Sequence, residues 1–266
     1  MNPEFSPGKL RKVAERVKRI RFDTSSYYNL SVAPQEALDF LAMLGGIKPV
    51  YVLGRGFDDP RWVAGIREIS VDLNLFVIDG PPFLPQIEQS TLPDWYRSLA
   101  EAGGMQHAIS YITRIESLAE EVMLRVQTGR LPPALEARLF AFPECCVREY
   151  HAKRQRVTET EYRIALRACE GDEARLRQRF DGSFEILPES EEESQALHPR
   201  WVMAPFTSFF LCAACEASPE SPGQTLAGRM KRFLQKTDKD MFAVLAKIVS
   251  ESPVYAGTTE SRDSSP

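Results

Sequence analysis

Four of the chain's five cysteines fall in two tight pairs, Cys145-Cys146 and Cys212-Ala213-Ala214-Cys215. Either pair alone is a weak ligand set. Together they supply the four thiolates that complete a tetrahedral zinc site or a cubane iron–sulfur cluster. A fold that satisfies all four must bring two distant segments into contact. An odd cysteine count with such clustered spacing fits metal or redox chemistry in a reducing compartment better than a disulfide framework.

The first pair lies in Phe142-Pro143-Glu144-Cys145-Cys146-Val147-Arg148-Glu149-Tyr150-His151. Proline suits the first helical position, so both cysteines are expected in a first turn, where free N–H groups and the helix dipole favour the thiolate. Neighbouring residues on a helix point about 100° apart and converge poorly on one small ion. A cluster offers separate irons as attachment points, so an iron–sulfur cofactor ranks ahead of zinc on this reading. His151 and His198 are candidate substitute ligands, and Arg148 and Glu149 are polar groups beside the site. Two other readings stand: the cysteines as small buried hydrophobes, and Cys212/Cys215 as a redox dithiol. A Cys145–Cys146 disulfide is disfavoured, because consecutive Cα atoms lie about 3.8 Å apart. Cys169 is read as a bystander and His107 as structural.

The two motifs together resemble the prokaryotic family catalogued as domain of unknown function 483. The matching residues are Pro143, Cys145, Cys146, His198, Cys212, Cys215 and Ser218, within roughly residues 130 to 250. The resemblance implies a shared fold and a cysteine-based site, and it carries over no substrate.

Around this site the chain reads as a helix-rich α/β protein. Ser6-Pro7-Gly8 starts a helix with Leu10, Val13, Val17 and Ile20 on one face and a basic opposite face, Lys9, Arg11, Lys12, Arg16, Lys18, Arg19 and Arg21. That face is a solvated surface, or a contact for phosphate or an acidic partner. A second helix is expected from Pro34 to Gly45-Gly46. Val50–Leu53, a helix opened by Asp59-Pro60, and Leu73–Ile78 compose a small parallel βαβ unit. Gly54-Arg55-Gly56 and Asp79 echo a nucleotide-binding turn, but Asp59 stands where the third glycine belongs, so a plain turn is preferred. Helices follow at Asp94–Ala102, at Met105–Thr128 with a stripe through Ile109, Ile112, Ile115, Leu118, Val122 and Val126, and at Pro133–Phe140. Beyond the first cysteine pair come a charged helix over Glu159–Phe180, an edge strand over Phe184–Leu187, an acidic mobile stretch over Pro188–Gln195, and one or two helices over Thr225–Val249.

Residues 1–130 are thus expected as an N-terminal α/β region, 131–250 as a cysteine-bearing helical region, and 251–266 as a disordered tail, within one domain or two. A net charge of −4 gives no global field for nucleic acid. No run approaches the roughly 20 apolar residues of a membrane span, and the N-terminus lacks the apolar core of an export signal, so a cytoplasmic location is expected. The leading functional expectation is a metal-binding protein holding an iron–sulfur cluster for electron transfer or small-molecule activation, with a small molecule or redox partner. The alternatives are a zinc-stabilised interaction module and a dithiol oxidoreductase.

Overall fold

The computed structural model describes residues 5–20, 29–54, 59–80, 92–102, 109–128, 132–179 and 187–252. Helix α1 (Pro7–Lys18) starts as its sequence dictates, with Ser6 Oγ accepting the Lys9 N–H at 3.3 Å. Its apolar face, Leu10, Val13, Ala14 and Val17, is buried. Its basic face is partly used within the fold: Arg16 pairs with Asp72 at 2.6 Å and Lys18 with Asp238 at 2.8 Å. Helix α2 (Asn29–Leu44) begins before the expected Pro34, which lies inside it and forgoes one rung of the ladder. It ends at Gly45-Gly46, where Gly46 adopts φ 74°.

Strand β1 (Val50–Leu53), helix α3 (Pro60–Asp72) and strand β2 (Phe76–Gly80) follow in the expected order. Asp59 caps α3, accepting the Arg61 N–H at 2.8 Å and the Trp62 N–H at 3.3 Å, so the residue that spoils the glycine fingerprint has a structural task. After α4 (Asp94–Ala102) comes a departure from expectation. The long helix over 105–128 is instead strand β3 (Ile109–Thr113) followed by α5 (Glu116–Thr128). β3 pairs antiparallel with both β1 and β2, giving the order β1-β3-β2. β1 and β2 therefore run parallel to each other but are not hydrogen-bonded neighbours, which corrects the simple βαβ reading. All five β3 residues are buried, as a central strand covered on both faces requires, and such a strand carries no alternation to betray it.

The C-terminal half is helical: α6 (Pro133–Phe140), α7 (Glu144–Ala168), α8 (Glu173–Arg179), α9 (Glu191–Leu197), α10 (Ala213–Ala217), α11 (Pro222–Thr237) and α12 (Lys239–Glu251). The helix that carries Cys145 and Cys146 is continuous to Ala168, so the separate helix expected over 159–180 is the second half of α7 followed by α8. The acidic stretch over 188–195 is not a mobile loop: Ser190 Oγ accepts the Glu193 N–H at 3.1 Å and starts α9. Glu193 is buried beneath a fork from Arg167, at 2.8 and 2.9 Å. Arg167, with the Glu189 N–H second, holds the Glu193 carboxyl down at about 2. The strand expected at Phe184–Leu187 lies outside the described residues apart from Leu187, as do His107 and the tail past Ser252.

One buried cluster spans both halves, taking Leu38, Tyr51 and Ile112 from the first and Leu139, Phe209, Leu226 and Leu245 from the second. Helices α1, α2, α11 and α12 pack together on one side, α5 packs on β2 and β3, and α2 and α6 pack on β1. Among the described residues no helix is long and apolar enough to cross a membrane.

Asp238 ties two of these elements. Its carboxylate caps α12 through the Asp240 and Met241 N–H groups at 3.1 and 3.0 Å and holds the Lys18 ammonium. The Asp238 hydrogen bond pushes Lys18 well above its ordinary pKa. Replacing Asp238 with alanine removes cap and ion pair together and is expected to cost about 2–3 kcal/mol, read as a lower midpoint in urea unfolding. A loss of less than about 0.5 kcal/mol would show that neither contact matters to stability.

Candidate metal centre

Three short pieces of backbone assemble the site. The first is the start of α7, where Pro143 is the N-cap, one position earlier than expected, so Cys145 and Cys146 occupy the second and third positions of the first turn. The second is a small hairpin: the Leu211 N–H bonds the Val202 carbonyl at 2.7 Å, the Ala204 N–H bonds the Phe209 carbonyl at 3.1 Å, and Phe206 turns the chain at φ 60°. It delivers Cys212, which is the N-cap of α10; Cys215 lies within that helix. The third is the start of α11, whose cap Ser221 accepts the Gln224 N–H and donates its hydroxyl to the Cys215 carbonyl at 2.9 Å. Glu149 locks the first two pieces together, its carboxylate accepting the Ala213 N–H at 3.2 Å while pairing with Lys153 at 2.9 Å.

The sulfurs of Cys145, Cys146, Cys212 and Cys215 all lie within 4.8 Å of one another. Cys145 and Cys215 are 3.6 Å apart. The two distant pairs meet, and the four-cysteine group has the composition of a metal site. Cys145 is exposed, while Cys146, Cys212 and Cys215 are buried in the main core. The adjacency of Cys145 and Cys146 does not keep their sulfurs apart. The rotation of about 100° per residue describes where Cβ leaves the helix, and the free torsion beyond it lets two neighbours aim at one point.

Backbone N–H groups serve the buried sulfurs. Cys146 Sγ accepts from the Cys212 N–H and Cys212 Sγ from the Cys215 N–H, both at 3.4 Å. Cys215 Sγ accepts from the Gly223 N–H at the start of α11. Burial works to raise the Cys215 thiol, but that N–H and the hydrogen bonds from the other three cysteines carry it below its ordinary value. The cysteines at the start of α7 go the other way. Burial first, then the sulfurs of Cys215 and Cys212, push Cys145 up to about 11, and burial drives Cys146 higher still. A helix N-terminus was expected to make thiolates of this pair; burial first, with the neighbouring sulfurs behind it, outweighs that, and the favoured thiolate is Cys215.

The remaining candidates lie elsewhere. His151 is buried with Nε2 2.7 Å from Glu136 Oε2, and His198 sits exposed at the end of α9. Neither joins the four-sulfur group. Arg148 pairs with Glu144 at 2.5 Å, Ser218 caps the end of α10, and Cys169 packs in a separate small cluster with Ala165 and Leu176. Gly223 was missed by the sequence reading. A Cβ there would stand 2.6 Å from Leu211 Cδ2 and 3.1 and 3.3 Å from the Cβ and Sγ of Cys215, so only glycine lets α11 bring its N–H this close. The signal was present in Ser221-Pro222-Gly223, a cap followed by a first-turn proline.

Comparison with protein-family models, curated proteins and solved structures finds no match.

Two expectations follow. Because Cys145 and Cys146 are held protonated near neutral pH, a metal must displace their protons. Affinity for added zinc should rise by about tenfold per proton released for each pH unit across the neutral range. Calorimetry in buffers of different ionisation enthalpy between about pH 6 and 8 checks this, and a pH-independent affinity contradicts it. Gly223→Ala should weaken zinc binding by about tenfold or more, measured against a chromophoric chelator, since it moves a donor and crowds a ligand.

Proposed function

We propose that the chain is a metalloprotein in which Cys145, Cys146, Cys212 and Cys215 hold one tetrahedral ion, zinc in first place, that fastens α7, the hairpin, α10 and α11 to one another. The observation that carries this reading is the sulfur spacing. Four thiolates about 2.3 Å from a tetrahedral zinc stand about 3.8 Å from one another. The 3.6 Å between Cys145 and Cys215, inside a group no wider than 4.8 Å, fits that scale. An iron–sulfur cluster, the first choice from sequence, sets its thiolates on separate irons and outward from them, which spreads the sulfurs well beyond this group. The zinc alternative is therefore preferred, and a single iron in the same four thiolates is the nearest variant.

Four thiolates leave no open coordination position, so the ion serves architecture more readily than Lewis-acid catalysis. The chain then belongs with non-enzymatic binding or interaction proteins rather than with electron carriers, because zinc is redox-silent. The likeness to domain of unknown function 483 is part of this proposal, through Pro143, the two cysteine pairs, His198 and Ser218. A dithiol role has one observation in its favour: the exposed Cys145 lies 3.6 Å from Cys215, the thiol with the lowered pKa.

Metal and labile-sulfide analysis of anaerobically purified protein tests the reading. One zinc per chain in a colourless protein is expected; a brown protein with iron and sulfide defeats the single-ion proposal, and a metal-free protein with a reversible disulfide favours the dithiol. Cys146→Ala and Cys215→Ala should each lose the metal and more than about 3 kcal/mol of stability, since ligation free energy is folding free energy. Full metal retention in both would sink the site altogether.

A further inference from the structure

Beside the candidate metal centre, α2, β1, α6, α7, the hairpin and the end of α12 line a cavity of about 490 Å³. That volume suits a small organic molecule. One wall is aromatic, made of Phe140, Phe142, Tyr150, Phe209 and Phe210. Tyr150 and Phe210 stack with centroids 6.1 Å apart, and Phe142 lies 5.3 Å from Phe209. The opposite wall is polar, and its groups are buried: Gln35, Glu36, Asp39, Lys48 and Tyr51 are each at most 8 % exposed. So dense a buried polar network is costly to build unless it is satisfied, and most of it is.

Lys48 donates to Asp39 at 2.6 Å and to Ser208 at 2.9 Å, and its ammonium lies 5.1 Å over the Phe142 ring. Its donors are engaged, so it offers little to an anion. Tyr51 donates to Glu36 at 2.8 Å. Gln35 is the exception. Its Nε2 donates to Asp39 Oδ1 at 3.3 Å, and because a carboxylate accepts only, that bond fixes which end of the amide is which. The other end, Oε1, is buried and has no hydrogen-bond partner. Gln35 is 6 % exposed and is one of the residues that line the cavity, so the orphan acceptor sits on a lining residue. Burying an amide oxygen with no donor opposes folding, and such a group in a ligand-sized cavity calls for a donor from outside the chain.

The character of that donor follows from the surroundings. Glu36, Asp39 and Glu136 bring three carboxylates to the lining, against Lys48 as its sole lysine or arginine among the described residues. A carboxylate or phosphate guest would meet like charge here, while an ammonium would meet acceptors and ring faces. We propose that this cavity binds a small organic amine with a flat apolar body, its N–H directed at Gln35 Oε1 and its body against the Phe140, Phe142, Phe209 and Phe210 wall. The inference does not depend on which ion the cysteines hold. It does place the two sites side by side, since Cys146 lines the cavity and Phe209 and Phe210 lead into Cys212.

Calorimetric titration of the full chain, as purified with its metal, tests this with phenethylamine and tryptamine against 3-phenylpropionate, a body of similar size carrying the opposite charge. At least one amine should bind saturably and at least tenfold more tightly than the carboxylate. Gln35→Met, close in size and without the acceptor, should weaken that amine at least tenfold without lowering the melting temperature or the metal content. A crystal structure with the bound amine, which needs no variant, should put its nitrogen within hydrogen-bond distance of Gln35 Oε1. Equal or tighter carboxylate binding, no saturable binding by either amine at millimolar concentration, or a nitrogen placed elsewhere overturns the proposal and marks the cavity as hydrated space. Metal content assayed on the same samples separates the two readings. Metal-free protein that binds amine removes the metal centre and keeps this site; loaded protein that ignores both amines does the reverse.

Discussion

The meeting of four sulfurs sets the terms for the rest of the C-terminal half. Cys145 and Cys146 sit at the start of a 25-residue helix, and Cys212 and Cys215 sit in a turn that has little regular structure of its own beyond a five-residue helix. A helix that short cannot stand on propensity. It is held by what surrounds it: Glu149 on its first N–H, Ser221 on its carbonyl end, and Gly223 against Cys215. Each of these contacts would be loose on the surface of an ordinary domain. Converging on one group of thiols, they make the turn as determined as the long helices around it.

The same geometry explains why a cavity lies where it does. Once α7 and the hairpin are pinned at their cysteine ends, their other residues are fixed at a distance set by that joint. The aromatic side chains Tyr150, Trp201 and Phe210 fill the outer part of the gap, with Trp201 and Phe210 centroids 5.1 Å apart. Deeper in, the gap is bordered by α2, whose buried face is not purely apolar but carries Gln35, Glu36 and Asp39 in sequence with Leu38 and Leu41. Leucine in those places would bury apolar surface with no polar group left to satisfy. Their presence, with Lys48 buried opposite, shows that this part of the core is not tuned for packing alone.

Much of this was legible in the residues. Ser6-Pro7, Asp59-Pro60, Gly45-Gly46, Asp94 and Pro133 each marked a helix end close to its place, because capping is local chemistry that a short stretch of sequence carries in full. The cysteine pairs were legible for the same reason. What failed were places where local pattern and tertiary position disagree. Ile109, Ile112 and Ile115 recur at helical spacing, yet Ile109-Ser110-Tyr111-Ile112-Thr113 is rich in β-branched and aromatic residues and becomes the centre of the sheet, where burial on both faces erases the alternation that marks a strand. The run Glu191-Glu192-Glu193 looked like a solvated linker, but Ser190 three residues before Glu193 is a capping pattern, and the Arg167 fork that rewards it comes from a helix distant in sequence. The cavity was not legible at all, since Gln35, Lys48 and Ser208 come from three separate segments and none carries a motif.

The division of labour among the sulfurs is the last consequence of the fold. Four thiolates around a divalent ion leave an excess of two negative charges in a largely buried place, and something must answer it. The three buried sulfurs each have a backbone donor: Cys146 the Cys212 N–H, Cys212 the Cys215 N–H, Cys215 the Gly223 N–H. Two of these donors belong to the cysteine turn itself, so the turn that supplies ligands also supplies much of their compensation. Cys145 is the exposed one, with solvent available to do for its sulfur what amides do for the rest. The group is asymmetric by construction: three sulfurs are held by the core, and one, 3.6 Å from Cys215, is open to solvent. In the proposed metal site, entry and loss of the ion should therefore run through Cys145, with the other three sulfurs held in the core behind it.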